Sequence, residues 1–107
     1  MQPNFQVIRP TGILDGTQAP QFRSDVSAAV DAGKQVILVD LQEVTFMDSS
    51  GLAALVLAMK TVRATGGKFC VCSMNDPVRM LFELTSMTRV FEIFGSQEDF
   101  INSLKAY

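Results

Sequence analysis

VILVDLQEVTFMDSSGLAALV, residues 36–56, decides the fold. Residues 35–41, QVILVDL, form an almost continuous β-branched and aliphatic run, the pattern of a strand covered on both faces and hence central in a sheet. From about residue 50 the pattern changes to a helix running to about residue 65, closed by the GGK at residues 66–68. Residues 42–47 are predicted to connect the two, bringing Phe46 and Met47 back to the core. Asp48, Ser49 and Ser50 then meet the first turn of the helix.

The same alternation continues outward in both directions. Upstream, residues 4–14, NFQVIRPTGIL, suit one extended segment that Pro10 bends and confines to a sheet margin, where its missing N–H is not needed. Residues 18–32 follow as a helix, with Phe22, Val26, Ala29 and Val30 at helical spacing, Pro20 in the tolerant first turn and Gly33 as a stop. Downstream, KFCVCS at residues 68–73 is a strand. NDPVRMLFELTS at residues 75–86 is a helix with Asn75 or Asp76 as N-cap and Val78, Leu81, Phe82 and Thr85 on one face. VFEIF at residues 90–94 has strand character, and Ser96 caps a last helix buried through Phe100, Ile101 and Leu104. The predicted fold class is α/β: one domain over residues 1–107, with a mixed, mostly parallel sheet of about four to five strands and four helices.

Composition narrows the function. Apolar residues make up 48% of the chain and charged ones 19%, a globular balance that excludes disorder. Nine basic and eleven acidic residues form no run of either sign, which argues against a nucleic-acid or anionic-membrane surface. No apolar stretch approaches the ~20 residues of a membrane span, and residues 1–10 lack the pattern of a signal peptide, so a soluble cytoplasmic protein is expected. Cys70 and Cys72 lie two apart on one strand and face the same side, which suits buried, slowly reacting free thiols better than a mutual disulfide. With no histidine in the chain, a hydrolase built on Ser49 or Ser50 lacks an evident proton acceptor beyond a carboxylate.

Two hydroxyls at a helix start have two readings. Ordinary capping accounts for one or both. Alternatively one serine caps an orphan backbone N–H, with Ser50 better placed to reach the N–H of Leu52 or Ala53, while the other presents its hydroxyl to solvent at the positive helix end. If Leu52, Leu55, Val56, Met59 and Val62 face the sheet, then Ala53, Ala54, Leu57, Ala58 and Thr61 lie on the other side, with no charge between Asp48 and Lys60. Neighbouring helices cover much of such a face, or Ala53 and Leu57 contribute to a docking surface beside the serine.

Residues 36–56 closely resemble the central motif of STAS domains, above all the stand-alone bacterial anti-sigma factor antagonists, in which a hydrophobic strand leads into D-S-S-G-L. GILD at residues 12–15, with Ala19, Pro20 and Phe22 after it, is similar to the family's G-x-L-D turn and first helix, and residues 66–87 resemble its next strand and helix. The likeness covers about residues 5–104. It implies a switch: the unphosphorylated form binds an anti-sigma factor that is a serine kinase and so releases the sigma factor. Phosphorylation of the first motif serine, here Ser49, breaks that contact, and a metal-dependent PP2C-type phosphatase reverses it. Asp15 and Asp48 would line the site, with Ser50 as adjacent cap and Gly51 and Leu52 as the helix start; Asp15 before Gly16 is equally an ordinary turn residue. The antagonist itself would need no cofactor. A scaffold or transport-associated STAS protein without a phosphorylation cycle is the alternative the resemblance leaves open.

Two departures from the family pattern matter. Ser86 stands where a glycine usually ends the third helix, which suggests a rebuilt helix end, since a left-handed residue costs more without glycine. The short N-terminus suggests that an additional edge strand common in these domains is reduced or absent.

Overall fold

A computed structural model describes residues 4–105. Its elements run β1 Phe5–Ile8, β2 Gly12–Leu14, α1 Ala19–Asp31, β3 Val36–Asp40, β4 Val44–Met47, α2 Ser49–Ala64, β5 Lys68–Cys72, α3 Asp76–Leu84, a 3-10 turn Met87–Arg89, β6 Glu92–Phe94 and α4 Gln97–Leu104. Four strands form one sheet in the order β1-β3-β5-β6, and β2 and β4 form a second, two-stranded one; every described ladder is parallel.

Burial on both faces explains the aliphatic strands. Ile37, Val39, Phe69 and Val71 point toward the core that α1, α2 and α3 cover, through Phe22, Val26, Leu55, Met59 and Phe82. The alternate residues Leu38, Cys70 and Cys72 point the other way, onto Phe100 of α4. Both cysteines are buried and unpaired, as expected from their strand. Burial, reinforced by the neighbouring Glu92 carboxylate, pushes the Cys70 thiol up to about 12, and burial also raises that of Cys72, so neither supplies thiolate near neutral pH.

Successive strands of the large sheet advance in one direction, so right-handed crossovers put α1, α2 and α3 on the same face and leave the other to α4. The strand order therefore lacks the reversal that opens a nucleotide crevice in doubly wound folds.

Three expectations about chain path are corrected. Residues 4–14 are two strands in different sheets, because after Pro10 the chain leaves β1 and pairs as β2 with β4. Residues 42–47 are accordingly not a plain connection, since residues 44–47 are strand β4. The turn into β4 is held by Asp40, buried at the end of β3, whose carboxylate accepts the Gln42 N–H at 2.9 Å and Gln97 Nε2 at 2.6 Å and pairs with Arg9 Nε at 3.4 Å. The third correction is at Ser86. The end of α3 is not rebuilt: Ser86 itself adopts the left-handed conformation, φ 60° and ψ 21°, after Thr85.

Side-chain residues are strained there by about 1 kcal/mol or more. Ser86→Gly should relieve that strain, partly offset by the entropy of a more flexible unfolded chain, for a net gain of up to about 1 kcal/mol, or roughly 4 °C in melting temperature. Thermal melting followed by circular dichroism checks this. A lower melting temperature for the glycine variant would show that the Ser86 side chain stabilises the end of α3 by more than its backbone costs.

Candidate functional site

β4 delivers the chain to the start of α2, and Asp48, not a serine, is the N-cap. Its backbone is extended, φ −103° and ψ −174°, and its side chain accepts the Gly51 N–H at 3.0 Å. The expected capping role of Ser50 is therefore wrong. One residue of register decides it, because α2 begins at Ser49 and the acceptor must stand immediately before the first turn. Ser49 and Ser50 are both exposed, and among the described residues neither hydroxyl has a hydrogen-bond partner.

What fixes this turn is Gly51. A Cβ built there would lie 2.1 Å from the Leu14 carbonyl oxygen and 3.0 Å from Met47 Cγ, so α2 starts hard against the backbone of β2. The Asp48 N–H reaches the same Leu14 oxygen at 3.4 Å, and Leu52 is buried in the core behind the turn. The site is thus built where the small sheet abuts the first turn of α2.

Asp15 takes the turn role. Its carboxylate oxygen accepts Thr17 Oγ1 at 2.6 Å, the Thr17 N–H at 2.9 Å and the Gln18 N–H at 3.3 Å, and so shapes the entry into α1. Those bonds, led by the Thr17 hydroxyl, hold its pKa below the ordinary carboxylate value. The turn lies beside the site nonetheless: a Cβ on Gly16 would be 3.7 Å from both Cβ and Oγ of Ser50.

Around Ser49 a neighbouring helix covers part of the outer face of α2, as one of the two readings has it, and what remains open is apolar. Ala54 and Ala58 are buried rather than outward, and Val56 is half-buried, because α1 packs against this side of α2. Ala53 and Leu57 do remain exposed, Leu57 at 44%. With Ser49 they stand four residues apart, a stripe about 12 Å long on one side of the helix. Phe46 does not return to the core. It is 52% exposed, and its ladder partner Ile13 is 53% exposed, both on the outer face of the β2–β4 pair. Exposed β-branched and aromatic residues facing each other across a ladder two residues before the motif are a surface the sequence did not announce.

The protein comparisons agree with one another. The STAS domain family model matches residues 1–100. The anti-sigma-B factor antagonist of Listeria monocytogenes is 30% identical over 82 residues, covering 77% of this chain and 72% of that protein. The anti-sigma F factor antagonist of Paenibacillus polymyxa is 26% identical over 100 residues, covering 92% and 86%. Among solved structures, an anti-sigma factor antagonist from Mycobacterium paratuberculosis superposes with a TM-score of 0.84 at 22% identity, covering 95% of this chain and 86% of that one. A sulfate transporter family protein from Wolinella succinogenes reaches the same TM-score of 0.84 at 13% identity, covering 98% and 88%. The shared fold therefore does not choose between those two settings. With a family model matched along most of its length, the chain belongs to the STAS domain family.

Proposed function

We propose that this protein is an anti-sigma factor antagonist switched by phosphorylation of Ser49. In its unmodified form it binds an anti-sigma factor that is also a serine kinase, and the sigma factor is released. Phosphate on Ser49 ends the binding, and a PP2C-type phosphatase restores it. ATP and metal belong to those two partners, and this chain binds without catalysing. The relatives in Listeria and Paenibacillus that carry the antagonist name support the role.

The observation that carries the proposal is the setting of Ser49: an exposed hydroxyl without a partner among the described residues, at the positive end of a 16-residue helix, on the same short segment as exposed Phe46. A phosphate there carries about −1.5 to −2 charges, which the helix end favours by roughly 0.3 to 1 kcal/mol, so the fold accepts it. Asp48 supplies a neighbouring negative charge while its own oxygen stays on the Gly51 N–H. Ile13, Phe46, Ala53 and Leu57 give a partner an apolar surface, and a charge placed into it is costly once the contact is dehydrated.

Incubation with the cognate kinase and ATP, followed by peptide mass spectrometry, tests the assignment. Phosphate is expected on Ser49 and abolished in Ser49→Ala. Modification mainly on Ser50, or undiminished in Ser49→Ala, overturns it. A chain that captures a transporter or scaffold partner and is never phosphorylated would favour the transport-associated setting that the Wolinella structure represents.

A further inference from the structure

Among the described residues Asp40 is the one buried polar or charged residue, and its carboxylate joins three segments of chain. Alternation along β3 turns it to the same side of the large sheet as Leu38, the side that α4 covers. Cys72 is its ladder partner on β5, and Arg9, next after the Ile8–Val39 pair, stands beside it on the other flank. Oδ1 accepts the N–H of Gln42, which opens the turn into β4. Oδ2 accepts Gln97 Nε2 from the first residue of α4 at 2.6 Å and pairs with Arg9 Nε, on the linker into β2, at 3.4 Å. One carboxylate therefore holds the chain where it leaves the large sheet for both strands of the small one. Just beyond it the two paths meet, with the Gly12 N–H donating to the Glu43 carbonyl at 2.9 Å.

We propose that Gln97 and Asp40 are positioning residues for the β2–β4 face: α4, seated on the far side of the large sheet, sets where the small sheet lies and so where Ile13, Phe46 and the start of α2 are presented. This rests on the proposed function only in giving that face to the partner. A buried carboxylate is costly unless its donors stay in place, so its three bonds hold or shift together. Loss of the Gln97 amide leaves Oδ2 to Arg9 alone. The carboxylate then turns, and the parts free to follow are the Gln42 turn and the Arg9 linker, because β3 itself is fixed between β1 and β5. No described hydrogen bond joins Ile13, Phe46 or Ser49 to α4, so a change at Gln97 reaches them through Asp40.

Gln97→Glu tests the link, because a carboxylate in the first turn suits the dipole of α4 and leaves the helix itself intact, while it repels Asp40. Amide NMR spectra of the full chain, taken at about pH 8 so that the two carboxylates do not share a proton, should show the signals of Gly12, Ile13, Gln42, Phe46 and Ser49 displaced. Adding Asp40→Asn should return them toward the wild-type positions: the new amide oxygen still accepts the Gln42 N–H, its NH2 donates to the new carboxylate, and Arg9 finds its negative charge there. If the single variant does not fold, Gln97→Met, of similar length without donor or charge, decides by the same signals. Signals at Ile13, Phe46 and Ser49 that stay in place when α4 loses its bond overturn the proposal, and so does a Gln97→Glu displacement that Asp40→Asn does not reverse. The affinity of the anti-sigma factor should fall about tenfold in Gln97→Glu and recover in the double variant. Displaced and rescued signals with unchanged affinity would uphold the positioning role and count against the proposed function instead.

Discussion

Gly51→Ala should destabilise the protein by about 3 kcal/mol or more, although alanine is the better helix former by about 1 kcal/mol. The glycine is there for space. Its added methyl would sit 2.1 Å from the Leu14 carbonyl oxygen and 2.9 Å from the Leu14 carbonyl carbon, which are backbone atoms of a paired strand and cannot swing aside as a side-chain tip can. The first turn of α2 would have to withdraw by about an ångström. Withdrawal stretches the Asp48 N–H contact to Leu14 and loosens Leu52 and Leu55, both buried in the core. Overpacking of this kind costs about 1 to 3 kcal/mol where side chains can adapt, and more where backbone is struck. At roughly 4 °C or more per kcal/mol for a domain of this size, the melting temperature should fall by about 12 °C or more. A loss under about 1 kcal/mol would mean that β2 gives way easily and does not position the start of α2.

The elements that carry strong periodicity were legible, and their boundaries came within a few residues. All four helices and the buried strands β3 and β5 follow from runs long enough to show their spacing. The small sheet did not, because strands of three and four residues are too short to display a period, and β4 has the burial order buried, exposed, exposed, buried. That is why Phe46 was expected inside: residue type favours burial, but only the pairing of β2 with β4 shows that its side chain stands on the outer face. Ala54 and Ala58 lie under a neighbouring helix, one of the two readings the sequence allows for that face. A helix wedged between a sheet and another helix buries two faces, and alanines are what let α1 approach α2 closely.

At the site, residue identity was legible and roles were not. Asp48, Ser49 and Ser50 are all good capping residues in succession, and only the starting register of α2 assigns the task to Asp48. Ser73 and Ser86, at φ 63° and 60°, sit at left-handed positions on either side of α3 where a search for glycine finds nothing. In both places the tertiary framework overrides the local preference; the glycine of the family pattern marks the position of Ser86, whereas nothing in the sequence marks Ser73.

Ser49→Asp should lower affinity for the anti-sigma factor by about a hundredfold or more while leaving the fold nearly as stable as wild type. As the first residue of α2, aspartate suits the helix dipole, and the adjacent Asp48 charge offsets part of that gain, so the net change should stay within about 1 kcal/mol. Binding responds differently. A partner covering Ile13, Phe46 and Leu57 removes water from around residue 49, within the ~8 Å over which salt screens poorly, and an unpaired charge in such a contact costs several kcal/mol. Since each ~1.4 kcal/mol is tenfold, a cost of about 3 kcal/mol yields a hundredfold change without any rearrangement of the chain. Ser49→Ala adds no charge and should bind as wild type does, while losing the ability to be switched off. Melting and affinity measured on all three forms separate the possibilities. Equal affinity of Ser49→Asp and wild type would remove the electrostatic switch, whereas lost binding together with a collapsed melting transition would place the effect in the fold at the start of α2 rather than in the charge on its surface.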